Sequence, residues 1–122
     1  GLVWLGSVLT GEISLEDLGV LISQRLEREP LLIGDTHKMI KKVAWCTGGA
    51  QGMFQDAIDA GVDAFITGEA SEPVYHMARE SGVAFIAAGH HATERYGIQA
   101  LGNALVDRFG IASSFVDIPN PV

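Results

Sequence analysis

Apolar and polar positions alternate along the chain in two rhythms, one of period two and one close to 3.6, and the switches between them mark the elements. Residues 2–9 read as a strand. Ser14 then caps a helix, with Asp17 three residues later in a box-like arrangement. Leu15, Leu18, Ile22 and Leu26 give this helix one apolar face at helical spacing. Pro30 stops it, and residues 31–33 begin a short extended segment.

From residue 43 strand and helix alternate. Residues 43–46 form a short strand of buried type, ending in Thr47-Gly48-Gly49. A helix over 51–60 follows, closed by Gly61. Residues 62–66 make the next strand, ending in Thr67-Gly68-Glu69. Ser71 heads a helix with Pro73 in its first turn and Gly82 past its end. Residues 83–87 are another strand, ending in Gly89-His90. The last helix is expected over 93–109, with Ile98, Leu101, Leu105 and Phe109 turned inward, and a final strand over 114–118. Strands alternating with helices imply an α/β fold with a mostly parallel sheet and helices packed on it.

Gly61 to Glu69 and Gly82 to His90 echo one another: a helix-closing Gly, an apolar strand, then Gly and a polar residue. In one parallel sheet, Glu69 and His90 would leave from the same edge, joined by Gly48 and Gly49. Ligands of open α/β sheets bind at that edge.

Composition narrows the class. Hydrophobic residues make up 48% and charged residues 19% of 122, a globular mixture able to bury about two thirds of its unfolded surface. The apolar runs are too short to span a membrane, and no basic segment precedes a cleavable one. A formal charge of −7 argues against a duplex nucleic-acid binder. The single Cys46 allows no internal disulfide, which fits a cytoplasmic location. The chain opens with Gly1 directly ahead of a strand, as expected of a piece of a longer protein.

His90 and Glu94 are the sharpest candidate pair for chemistry. One ends a strand and the other falls in the first turn of the next helix, so imidazole and carboxylate can converge on zinc, iron or manganese. The plainer alternative is a helix start with a solvated His. Glu69 is a candidate general base or supporting carboxylate, Thr93 a cap or orienting residue, and His76 a pocket-lining residue or a surface one. Thr47 to Gly52, with Gly48 and Gly49, could hold a phosphate on exposed amides at a helix start, but it lacks the Lys and the spacing of a phosphate loop and the full dinucleotide fingerprint. Cys46 has no base beside it and reads as packed and inert, and His37 reads as a solvated loop residue.

Gly89-His90-His91-Ala92-Thr93-Glu94 resembles the C-terminal signature of the YbgI-like dinuclear-metal proteins, the GTP cyclohydrolase I type 2 homologues. The resemblance extends through residues 43–49, 63–69 and Asp117-Ile118-Pro119-Asn120-Pro121. It implies metal ligands at His90 and Glu94, with His91 at a variable position. It also implies that a His-His pair and an Asp from an N-terminal half complete two sites in the parent. Residues 1–40 are then the end of a linking part, and 41–122 the C-terminal α/β part carrying half the metal site.

The parent would bind two divalent ions and this chain few or none. The parent would also assemble with itself, as a toroidal homohexamer. Trp4, Met53 and Phe54 are the residues expected to contribute exposed apolar contacts. The implied activity is metal-dependent hydrolysis of a small molecule such as a purine nucleotide ring, with this chain inactive alone. The competing class is a non-enzymatic metal-binding or regulatory scaffold.

Overall fold

The Ser14 hydroxyl accepts the Asp17 amide at 3.0 Å and donates to its carboxylate at 2.8 Å. These two bonds satisfy donors that a helix start otherwise leaves open. The computed structural model describes all 122 residues, and this cap opens the first helix, α1 (Leu15–Leu26). It follows strands β1 (Trp4–Ser7) and β2 (Ile13–Ser14). Then come β3 (Leu31–Ile33), β4 (Met39–Ile40) and β5 (Lys42–Trp45). A 3-10 turn, Gln51–Met53, leads into α2 (Phe54–Asp59), followed by β6 (Ala64–Thr67), α3 (Glu72–Ser81), β7 (Ala84–Ala87) and α4 (His90–Phe109).

Five strands form one sheet in the order β1-β5-β6-β7-β3, and β2 pairs with β4 beside it. The middle is parallel, β5 to β6 and β6 to β7, as the alternation of strands and helices requires. Both outer strands run antiparallel. The sheet is thus an α/β sheet with a parallel centre, and residues 1–40 supply both of its edges.

Alternation along the strands sorts the core into two layers. On one face Phe65 and Phe85 meet Phe54 of α2 and Val74 and Ala78 of α3. Phe54 packs edge-on against Phe85 at 4.9 Å between centroids. On the other face Ala64, Ala84 and Ile86 meet Leu15 and Leu18 of α1, the stripe read from the helical spacing. Fully burying a Phe or Leu side chain contributes about 1.5–3 kcal/mol, so these few residues hold the strand ends in place.

Four sequence expectations are corrected here. Phe54 is a fully buried core residue, not a contact surface, because it opens α2 directly under the sheet. Met53 is half-buried against the same core, while Trp4 is exposed as expected. The inward face assigned to α4 is absent: Ile98, Leu101 and Phe109 are 58%, 53% and 62% exposed, and Ala92 is the helix's only buried residue. Beyond its first turns α4 has the tail around Ser113 beside it rather than the sheet. Finally, residues 114–118 form no strand. Asp117 binds side chains of α4 instead, and Pro119 and Pro121 have no N–H to offer a ladder.

Candidate functional site

The turns that leave β5, β6 and β7 are stitched together in series. Gly68 N–H donates to Gly48 O at 2.8 Å, and Gly89 N–H to Gly68 O at 2.9 Å. Thr67 braces them from beneath: its fully buried hydroxyl donates to Gly48 O at 3.0 Å and accepts the Ala50 N–H at 3.2 Å. Contact this close excludes side chains. A Cβ at Gly68 would lie 2.6 Å from both Gly48 O and the His90 Cα. Gly48 also holds φ at 72°, a left-handed value that a glycine adopts without strain.

Glu69 and His90 leave this edge, and Glu94 follows His90 one helical turn on, so the pair share a face of α4. His90 Nδ1 lies 2.5 Å from Glu69 Oε1, and Nε2 lies 3.2 Å from Glu94 Oε2. The three side chains are about half exposed. Thr93 ties helix to turn: its hydroxyl accepts the Gly48 N–H at 3.0 Å and donates to Gly89 O at 2.9 Å, with His90 O at 3.0 Å as the alternate acceptor. Gly49 sits over Glu69, whose Oε1 would be 3.4 Å from a Cβ there.

An imidazole between two carboxylates favours its charged form. The His90 pKa is raised, first by the hydrogen bond to Glu69; burial opposes this, and the charge of Glu94 adds to it. With Glu69 ionised, Nδ1 must carry the proton it donates, which leaves Nε2 facing Glu94.

The three groups lie in a line through the ring rather than around one point. No three His, Cys, Asp or Glu side chains anywhere in the chain are grouped to hold an ion. His90 and Glu94 therefore present two adjacent donors, with Glu69 behind them on the other ring nitrogen.

His76 is not brought to this edge. Val74 and Ala78 take the inward face of α3, leaving His76 exposed with its ring against Tyr75 at 5.5 Å. His91, one residue along from His90, points elsewhere, with Nε2 3.1 Å from Asp117 Oδ1. Cys46 packs against the core, and His37 is an exposed loop residue.

Two residues of the site had no role in the sequence reading. Thr67 was visible only as a strand-ending Thr. Gln51 donates from Nε2 to Glu69 Oε2 at 3.4 Å, while its buried Oε1 finds no partner. A lone polar residue in a loop of small ones was the available signal.

Comparison with known proteins places the fold. The family model described as Duf34/NIF3 (NGG1p interacting factor 3) matches residues 1–121. A Pseudomonas aeruginosa protein named GTP cyclohydrolase 1 type 2 homolog is 55% identical over 120 residues, covering 98% of this chain and 47% of its own length. Its Escherichia coli K12 namesake is 53% identical over 106 residues, 86% of this chain and 43% of its own. The chain thus spans about half the length of the curated relatives it matches.

Among solved structures, protein ybgI, its function given as unknown, superposes with a TM-score of 0.92 at 48% identity, over 99% of this chain and 49% of its own. TTHA1606 from Thermus thermophilus does so at 0.83 and 28%, over 96% and 47%. With a shared fold and a family match over nearly every residue, the chain belongs to the Duf34/NIF3 family.

Proposed function

We propose that His90 and Glu94 are two ligands of a divalent-metal centre and that Glu69 is the carboxylate that orients His90. The observation carrying this is the pairing of Nδ1 with Glu69. Metal-binding histidines characteristically donate their second ring N–H to a carboxylate, which fixes the tautomer and strengthens the donor. An imidazole nitrogen beside a carboxylate suits zinc, iron or manganese. The residues fit such an ion, which would replace the proton that two flanking carboxylates hold on the ring.

Two donors make half a site, since a catalytic zinc has three protein ligands and an open position. The remaining ligands would come from the other half of the full-length protein, as the resemblance to dinuclear-metal proteins implies. A bound ion would polarise an electrophile and acidify an attacking water. In this chain Glu69 holds the Nδ1 proton, Glu94 balances charge, and Thr93 with Gly48 fixes the helix start. Both Glu69 oxygens are hydrogen-bonded, which favours the orienting role over that of a general base.

The activity we assign to the full-length protein is metal-dependent hydrolysis, with a purine nucleotide ring as the first substrate class to try, given the relatives' name. The exposed apolar residues of α4 and β1 support self-assembly of that protein.

Metal content and calorimetry on the full-length protein test this. His90→Ala and Glu94→Gln should abolish tight zinc or manganese binding, Glu69→Gln should weaken it about 10–100-fold, and His91→Ala should change it little. Equal losses in His90→Ala and His91→Ala would remove the ligand assignment. A metal-loaded protein that turns over no purine nucleotide would move the function to a metal-binding scaffold.

A further inference from the structure

A second polar feature lies on the other side of Gly89, where a cavity of about 600 Å³ separates the end of α1 from the start of α4. Two of the chain's eight cationic side chains, Arg28 and Arg95, line it. Arg28 is half-buried and lies across Gly89, where a Cβ would stand 2.7 Å from its Cδ. It pairs with no carboxylate. Glu27, which precedes it, caps α1 in the left-handed region at φ 55°, the only non-glycine residue there, and turns the chain toward the bay. Glu27 also lines the cavity.

The C-terminal tail fills the donors of this bay with its own oxygens. Arg28 donates to Pro121 O at 2.5 Å, the His91 N–H donates to Val122 O at 2.9 Å, and Arg95 donates to Asp117 Oδ2 at 3.0 Å. Two guanidinium groups and a helix-start amide are thus satisfied by three oxygens from one segment, including its only carboxylate side chain. Lifting that segment would leave Arg28 and the His91 amide without these acceptors, and Arg95 with only the Leu26 carbonyl, which accepts its Nη2 at 2.9 Å.

We infer that this bay is an oxyanion site, taking a phosphate or carboxylate group of a small molecule, and that residues 117–122 are an internal occupant which such a group displaces. Guanidinium forks bind phosphate and carboxylate through paired bonds to an ionised acceptor, stronger than the single bond Arg28 makes to the uncharged Pro121 carbonyl. The bay adjoins His90 through Gly89, so an anion held there carries the rest of its molecule toward the strand-end turns. Metal at His90 is not required for it.

Amide NMR of the whole chain, titrated with inorganic phosphate and separately with acetate at constant ionic strength, tests it. We expect saturable shifts at His91, Arg95, Asp117, Ile118, Asn120 and Val122. Arg28→Gln should weaken binding about tenfold or more, the value of one charge-assisted pair, and Arg28→Lys should weaken it less. Asp117→Ala, which frees the tail, should tighten it several-fold, and Arg108→Gln at the far end of α4 should leave it unchanged. A response to phosphate alone assigns a phosphoryl group, and a response to acetate alone assigns a carboxylate. No saturable response to either, shifts that persist in Arg28→Gln, or an Asp117→Ala variant that binds no tighter would each overturn the inference.

Discussion

Gly48 and Glu94 touch across two turns of chain: the space a Cβ on Gly48 would need is already taken by the Glu94 carboxylate, with His90 Nε2 3.2 Å away. The backbone of one loop therefore sets where the acidic side chain of another element can rest.

Gly48→Ala should be costly chiefly through the φ of 72°, since the half-exposed Glu94 carboxylate can swing away from the new methyl group. We expect a loss of about 1–3 kcal/mol, the range for strained backbone, read from urea unfolding. Gly52→Ala is the control. A Cβ there meets nothing within 4 Å, and its effect should stay within about 0.5 kcal/mol. Equal costs at the two positions would contradict the packing described.

Thr67→Val keeps the shape of a fully buried side chain but removes the hydroxyl that bridges Gly48 O and the Ala50 N–H. Leaving such partners unsatisfied costs about 1–3 kcal/mol. Thr67→Ser should recover most of that loss. If valine and serine variants unfold at the same urea concentration, the brace is unimportant.

His90 should titrate above the usual imidazole value in the metal-free chain, chiefly through its bond to Glu69. Because the folded pKa is raised, the stabilisation is fully present below the unfolded value of about 6.5. It is lost as pH rises through the higher folded value. Glu69→Gln should bring the midpoint down, as followed by the NMR shift of the ring protons. Superimposable titration curves for the two proteins would sink this account.

Asp63 gives a signal of opposite sign. One oxygen, Oδ2, accepts both the Lys41 and Lys42 amides at 2.9 Å. Burial pulls its pKa up, but those bonds and the charges of Lys38 and Lys41 outweigh it, so the net shift is downward. Its stabilisation is thus present above the ordinary aspartate value, about 3.9, and lost as pH falls through the lowered one. Asp63→Asn should destabilise by about 1 kcal/mol at neutral pH, with the gap between variant and parent closing in acid. A gap that stays constant with pH would contradict the assignment.

Much of the site was legible because it follows from local grammar. A Gly closing a helix, an apolar strand and a Gly before a polar residue occur twice, and parallel pairing then sets Glu69 and His90 on one edge. The stripe Leu15-Leu18 was equally readable, since both faces of a covered sheet must be filled. The apolar residues of α4 were misread because helical spacing says which residues share a side, not whether anything lies against it. Thr67 and Gln51 escaped notice because their roles depend on turns distant in sequence. His76 showed the converse: a residue near the site along the chain was turned away by the inward face of its own helix.

The register of β6 against β7, Thr67 opposite Ala87, makes each strand a ruler for the residue that follows it. One strand residue advances about 3.3 Å and turns the side chain to the opposite face. A single deletion inside β7 would therefore draw His90 back from Glu69 by that distance and exchange the two core layers beneath it. The far ends are tied too, through Asp63, but Gly61 and Gly82 just before them face open space, and extra residues at those bends would add length without moving the ruler. Length variation among related chains is thus expected at those bends, and strand length between them should be the most tightly kept dimension of the molecule.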